Sequence, residues 1–169
     1  MAERSFPRTA PPAPHLRVEK GERETPEAIL RQALKRRRLK YTPERQAVLR
    51  EVLDTHAHFD ARQLRRLLRK RGAQVSQATV YRTLAVLREA GLLREVFRDA
   101  QGSRFEHIYG HTHHEHLICL RCGKILEFQS ARLEEIQDEA CRAQGFRPLR
   151  HQLQVFGYCA ECDAGSRER

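Results

Sequence analysis

No stretch of this sequence approaches the about 18 consecutive apolar residues of a membrane-spanning helix, and its N-terminus has no apolar core of the kind an export signal requires. Those absences argue against a membrane protein and set the expectation of a cytoplasmic one. Acidic side chains are scarce beside basic ones: 22 Asp and Glu against 32 Lys and Arg give a formal net charge of +10 and a pI near 10.0. Proline is thinly spread outside the first 25 residues, which hold Pro7, Pro11, Pro12 and Pro14 of the seven in the chain. That segment also has few large apolar side chains to bury, so residues 1–25 are expected to form a disordered or loosely attached arm.

The positive charge is unevenly distributed. Residues 1–40 carry 11 basic and 5 acidic side chains, residues 41–110 carry 13 and 8, and residues 111–169 carry 8 and 9. A basic front on a near-neutral back points to a polyanion partner for the front, because neutralising phosphates releases condensed counterions. Double-stranded nucleic acid is the natural candidate. The alternative is a solubilising arginine-rich surface.

Helix start and stop signals recur along the front half. Thr25-Pro26-Glu27 opens a first helix with Ile29, Leu30 and Leu34 on one face, and Thr42-Pro43 opens a second with Val48, Leu49, Val52 and Leu53. Asp60 caps a third, with Leu64, Leu67 and Leu68 inward, arginines and Lys70 outward, and Gly72 as its stop. Ser76 opens a fourth, with Val80, Leu84 and Leu87 as its apolar stripe and Gly91 as its stop. Leu92–Arg98 and Ser103–Ile108, separated by Asp99-Ala100-Gln101-Gly102, read as a β-hairpin. Helices closed by a hairpin predict a winged helix-turn-helix over 26–110, whose last helix enters a major groove.

Residues 111–163 predict a strand through Leu117, Ile118 and Leu120, and a second through Ile125, Leu126 and Phe128. A helix from Ser130 to Gln144 follows, burying Leu133, Ile136 and Cys141, and then a strand through Leu153, Val155 and Phe156. Residues 164–169 remain as a tail. The fold class is therefore α+β, with a second domain of about 55 residues, a size that usually needs a staple.

That staple is Cys119-x-x-Cys122 with Cys159-x-x-Cys162, two pairs separated by 36 residues. In a cytoplasmic chain such pairs read as metal ligands rather than disulfides, and four thiolates complete a closed, structural zinc site. Five of the nine histidines fall between His107 and His116. Along an extended strand alternate side chains face the same way, so His114 and His116 face one ion while His113 and Glu115 face another. Imidazole and carboxylate together suit iron, manganese, zinc or nickel, with less selectivity than thiolates. A rival reading is a metallohydrolase, because His111-x-His113-x-Glu115-His116 approximates a His-x-His-x-Asp-His hydrolase motif; glutamate in place of aspartate, and a basic helical front with no role in such an enzyme, weigh against it. On the fourth helix, Gln77, Ala78, Tyr81 and Arg82 point away from the apolar stripe, where arginine reads guanine or phosphate and tyrosine packs on thymine methyls.

Thr42-Pro43-Glu44-Arg45, Ala78-Thr79-Val80-Tyr81-Arg82, His113–Cys119, Cys122-Gly123-Lys124 and Cys159-Ala160-Glu161-Cys162 together resemble the ferric uptake regulator family over about residues 26–163. The resemblance implies a cytoplasmic homodimer, not an enzyme, whose winged helices bind AT-rich operators when a regulatory metal is present, usually repressing transcription. It implies structural Zn2+ on the four cysteines and a regulatory Fe2+, Mn2+ or Zn2+ site of His58, Glu106, His114 and His116, with Glu127 near or in it. It also implies a further site of His113, Glu115, Glu134 and His151, and DNA contacts from Lys40, Arg45, Tyr81 and Arg82. Glu106 and Cys119 stand one residue further apart than in the commonest iron-sensing pattern, which makes His107 the alternative occupant of the Glu106 position. The peroxide-sensing branch typically has aspartates where this chain has Glu106 and Glu127, and the zinc-sensing branch often adds a cysteine that is absent here. Iron is thus the leading expectation, with manganese, zinc and peroxide sensing behind it.

Overall fold

Helices in the front half begin where a hydroxyl or carboxylate oxygen can accept from the unpaired N–H groups of the first turn. In the computed structural model, which describes residues 24–99 and 102–167, Thr25 Oγ1 accepts from the Ala28 N–H at the start of α1 (Pro26–Arg36) and Thr42 Oγ1 from the Arg45 N–H at the start of α2 (Pro43–Asp54). Asp60 and Gln63 exchange side-chain to main-chain bonds of 2.7 and 2.8 Å in a capping box that opens α3 (Ala61–Lys70). Ser76 Oγ accepts from the Thr79 N–H at 3.1 Å to open α4 (Gln77–Glu89). Gly91, at φ +72°, supplies the left-handed residue that ends α4 and lets the chain turn into a hairpin.

That hairpin pairs β1 (Leu93–Asp99) antiparallel with β2 (Gly102–His107), and the register shifts between Glu95 and Phe97. The expected turn tip at Ala100 and Gln101, most of the arm expected over 1–25 and the end of the tail lie outside the described residues.

The described chain divides into two units that part between His113 and His114. In the first, Leu30, Leu34, Val48, Leu49, Val52, Phe59, Leu64, Leu68, Val80, Leu84, Leu87, Leu92, Leu93 and Phe105 form one apolar cluster. Helix α4 is its axis, in contact with α1, α2, α3 and β1. The expected stripes hold except that Ile29, Leu53 and Leu67 are half-buried, Ile29 and Leu53 packing against the margin of the cluster. A further pairing closes this unit: the Phe59 N–H donates to the Phe105 carbonyl at 2.9 Å and the Phe105 N–H to the Phe59 carbonyl at 2.8 Å. The loop between α2 and α3 is thereby fastened to β2.

The second unit contains β3 (Glu115–Cys119), β4 (Ile125–Phe128), α5 (Ala131–Ala143), β5 (Gln154–Gly157) and α6 (Ala160–Arg167). The sheet order is β4-β3-β5, with β3 antiparallel to β4 and parallel to β5. A parallel neighbour requires a crossover, which α5 supplies. The expectation that Leu133, Ile136 and Cys141 are buried does not hold: Ile136 is 51 % exposed, and Leu133 and Cys141 are half-buried. The three short strands of one chain cannot cover both a helix face and a sheet face. Across the sheet, Leu117 pairs with Leu126 on one side and Val155 on the other, and all three side chains are exposed. Helix α6 was not anticipated; Glu161 and Asp163 in its first turn favour its N-terminal end.

Truncating Leu87, which is fully buried on α4, to alanine is expected to cost about 2–5 kcal/mol by chemical denaturation of the full chain, and Ser76→Ala about 1 kcal/mol through loss of the cap. A smaller effect at Leu87 than at Ser76 would contradict this account of the core.

Candidate metal centres and nucleic-acid face

The first cysteine pair sits on a tight turn after β3, and the second spans the start of α6, with Cys162 in its first turn. The Gly123 N–H donates to the Cys119 carbonyl at 2.9 Å and the Cys119 N–H to the Lys124 carbonyl at 2.9 Å, so the chain folds back on itself between the first two thiols. Gly123 occupies φ +69°, a conformation this turn requires and side chains disfavour. The parallel pairing of β3 with β5, extended by the Leu120 N–H to Gly157 carbonyl bond at 2.9 Å, carries Cys159 alongside Cys119. No disulfide joins the cysteines. The four Sγ atoms all lie within 4.8 Å of one another, and Cys122 and Cys159 are 3.8 Å apart. Tetrahedral zinc with bonds of about 2.3 Å requires sulfur separations of about 3.75 Å, so the donor set and its spacing fit that ion. Main-chain N–H groups of Cys122 and Cys159 hold the Cys119 thiol down to about 6. Desolvation, and then the neighbouring thiols, push Cys162 up to about 12.

In the first unit, the Phe59–Phe105 pairing sets His58 directly opposite Glu106. His58 Nε2 and Glu106 Oε2 are 3.1 Å apart, and the other Glu106 oxygen accepts from Arg94 at 2.5 Å. Glu106, rather than His107, therefore meets His58. In the second unit, His116 lies across from Glu127 in the β3–β4 ladder, the His114 and His116 rings are 5.0 Å apart, and His114 Nε2 is 4.0 Å from Glu127 Oε1. Each unit thus holds part of the predicted regulatory set.

Glu115 leaves the opposite face of β3 from His116. It is buried, meets His151 Nε2 at 2.8 Å, and accepts from the Leu153 N–H at 2.7 Å. Glu134 on α5 reaches the same His151 nitrogen at 3.2 Å. Glu115, Glu134 and His151 are brought together within the second unit; His113 is exposed and is the last residue of the first. The hydrolase-like run does not converge, because Glu115 and His116 face apart and are engaged by different neighbours.

Sequence reasoning missed a grouping of His56, His107 and His111 within the first unit. The excess of histidine at 107–116 was its signal, but His56 is remote in sequence. Burial, then the imidazoles of His111 and His56, push His107 below the usual histidine range, against the opposing pull of Glu106 and the Tyr109 backbone.

On α4, Val80, Thr83, Leu84 and Leu87 turn inward, leaving Tyr81 48 % exposed, with Gln77, Ala78 and Arg82 exposed beside it. Lys40 is exposed just ahead of α2, and its carbonyl accepts from the Arg45 guanidinium. On α3, Arg62, Arg66, Arg69 and Lys70 are exposed, so basic side chains of the front half are available to an anionic partner.

Comparison with known proteins matches residues 36–156 to the Ferric uptake regulator family. The peroxide-responsive repressor PerR of Staphylococcus aureus is 34% identical over 145 residues, covering 86% of this chain and 95% of its own. The peroxide operon regulator of Bacillus subtilis is 35% identical over 131 residues, covering 78% and 89%. The ferric uptake regulator of Helicobacter pylori, a structure described as revealing three functional metal binding sites, matches with a TM-score of 0.69 and 30% identity over 83% of this chain and 95% of its own. With its helical front, small sheets and divalent-metal donor sets, the chain belongs to the ferric uptake regulator family and is a metal-dependent, DNA-binding transcriptional regulator rather than an enzyme.

Proposed function

We propose that this chain is a cytoplasmic homodimeric repressor of metal-homeostasis genes whose grip on operator DNA depends on a divalent cation, with Fe2+ as the physiological ion. The observation that carries this reading is the division of the regulatory donors: His58 and Glu106 belong to the first unit, His114, His116 and Glu127 to the second. Donors divided in this way can fill one coordination sphere only in an arrangement that brings the units together. When bound, the cation supplies the attraction that makes this arrangement the favoured one. A hundredfold preference for that arrangement corresponds to about 2.7 kcal/mol.

Arg94 fixes one oxygen of Glu106 and leaves the other toward His58, so the carboxylate is oriented before any ion arrives. Glu115, Glu134 and His151, with His113, form the second regulatory set. Cys119, Cys122, Cys159 and Cys162 hold the structural zinc, which joins β3 to the chain after β5 and so adds its binding energy to folding of the second unit. The exposed Leu117, Leu126, Val155 and Ile136 form the surface that a second copy covers. Tyr81 and Arg82 read the major groove, while Lys40 and Arg45 reach the flanking backbone and minor groove.

A second reading, peroxide sensing, is favoured by the names of the two bacterial relatives; the glutamates at 106 and 127 favour iron. The two separate on one measurement: an iron sensor keeps its operator affinity after brief peroxide treatment of the Fe2+-loaded protein, whereas a peroxide sensor loses it and is spared when loaded with Mn2+.

Fluorescence anisotropy on a duplex from the chain's own promoter is expected to show binding that strengthens with Fe2+ in the parent and loses that dependence in His114→Ala; unaltered dependence discards the regulatory assignment. Arg82→Ala should weaken specific binding by about 1–3 kcal/mol, roughly 5- to 150-fold, with little change on unrelated DNA. For the cysteine site, Cys119→Ser should lose bound zinc and the dimer together, read by elemental analysis and light scattering. A zinc-free dimer of parental stability argues against that role.

A further inference from the structure

His56, His107 and His111 belong to neither carboxylate-containing set. One ring nitrogen from each lies within 4.8 Å of those of the other two. The rings of His107 and His111 are 4.2 Å apart and edge-on at 78°, His56 and His107 are 5.3 Å apart, and His56 and His111 are 5.6 Å apart. All three residues lie in the first unit.

The central member is the informative one. His107 is 5 % exposed, and neither ring nitrogen has a well-formed hydrogen bond, the Tyr109 backbone lying near the ring without completing one. Buried polar atoms are nearly always satisfied, and one that is not calls for a partner such as a water or an ion. His56 and His111 are exposed, so a solute can reach the group from outside. The backbone accounts for the separation from the regulatory donors. Glu106 and His107 are consecutive on β2 and leave opposite faces of the strand; the chain bends at Ala57, so that His58 meets Glu106 while His56 turns to His107. The two sets stand back to back on the same loop and the same strand.

We propose that His56, His107 and His111 form a third cation site, for a borderline divalent ion such as Ni2+, Zn2+ or Cu2+. Three imidazoles without a carboxylate favour those ions over Mn2+ and Fe2+, which take oxygen ligands more readily. Tetrahedral coordination with bonds of about 2.05 Å needs nitrogen separations of about 3.4 Å, so the exposed rings of His56 and His111 close slightly on the fixed His107, and the fourth position is left to water. Because His111 follows Gly110, at φ +78°, on the stretch leading out of the first unit, occupancy ties that stretch to the α2–α3 loop.

The test is equilibrium dialysis of the full-length, zinc-retaining protein against saturating Ni2+, with nickel and zinc counted in the same samples. The His56→Ala/His111→Ala double variant alters only exposed side chains. It should bind one Ni2+ per chain fewer than the parent, keep its zinc, and keep the Fe2+ dependence of operator binding. His114→Ala should leave that equivalent in place, and adding it to the double variant should reduce nickel further. In the parent, sub-stoichiometric Ni2+ should broaden the ring-proton NMR signals of His56, His107 and His111 together. Equal nickel content in the parent and the double variant, or broadening that spares these three rings, overturns the proposal; neither result bears on the His58 and His114 assignment.

Discussion

Two hydrogen bonds between Phe59 and Phe105 govern most of what the first unit can do chemically. They run in both directions at 2.9 and 2.8 Å and make the loop after α2 a third, one-residue rung on the β1–β2 hairpin. Both phenylalanines are buried in the helical core, their rings 6.3 Å apart, so the pairing is shielded from competition by water. Everything polar on that loop inherits its position from this rung. His58 falls opposite Glu106, and the bend at Ala57 delivers His56 to the other side.

The second unit is organised by a different constraint. Its three strands are short, its helix α5 has no fully buried residue, and much of its apolar surface stays exposed. Hydrophobic burial within one chain is therefore thin, and the parallel pairing of β3 with β5, which closes over a long connection, needs further support. The four thiols gather at that junction. Their unequal acidity follows from the turns: main-chain N–H groups converge on Cys119, while Cys162 is desolvated among other sulfurs. A thin single-chain core and four gathered thiols thus occur together in one small domain.

Adjacent residues on a strand also explain how so many donors coexist without merging. Glu106 and His107 on β2, like Glu115 and His116 on β3, send neighbouring side chains to opposite faces. A histidine-rich stretch that looks continuous in one dimension is thereby divided among separate neighbours: Arg94 and His58 for Glu106, His151 for Glu115, Glu127 for His116. The carboxylate-bearing sets suit harder cations, and the all-imidazole group suits softer ones.

What the linear pattern determined was local. Thr25, Thr42, Asp60 and Ser76 announced their helices because capping involves atoms three residues apart, and each Cys-x-x-Cys pair announced two candidate ligands because both lie within one turn of chain. The family resemblance supplied the pairing of His58 with Glu106 and of Glu115 with His151, which no spacing reveals. Only the tertiary structure decided that Glu106 and not His107 faces His58, because that choice turns on the register of a one-residue bridge and a one-residue slip reverses every side chain. It likewise decided that Ile136 is exposed, since periodicity marks an apolar face but not whether the same chain has enough surface to cover it. And it alone joined His56 to His107 and His111, residues about fifty positions apart in the chain that meet because a buried phenylalanine pair holds a loop against a strand.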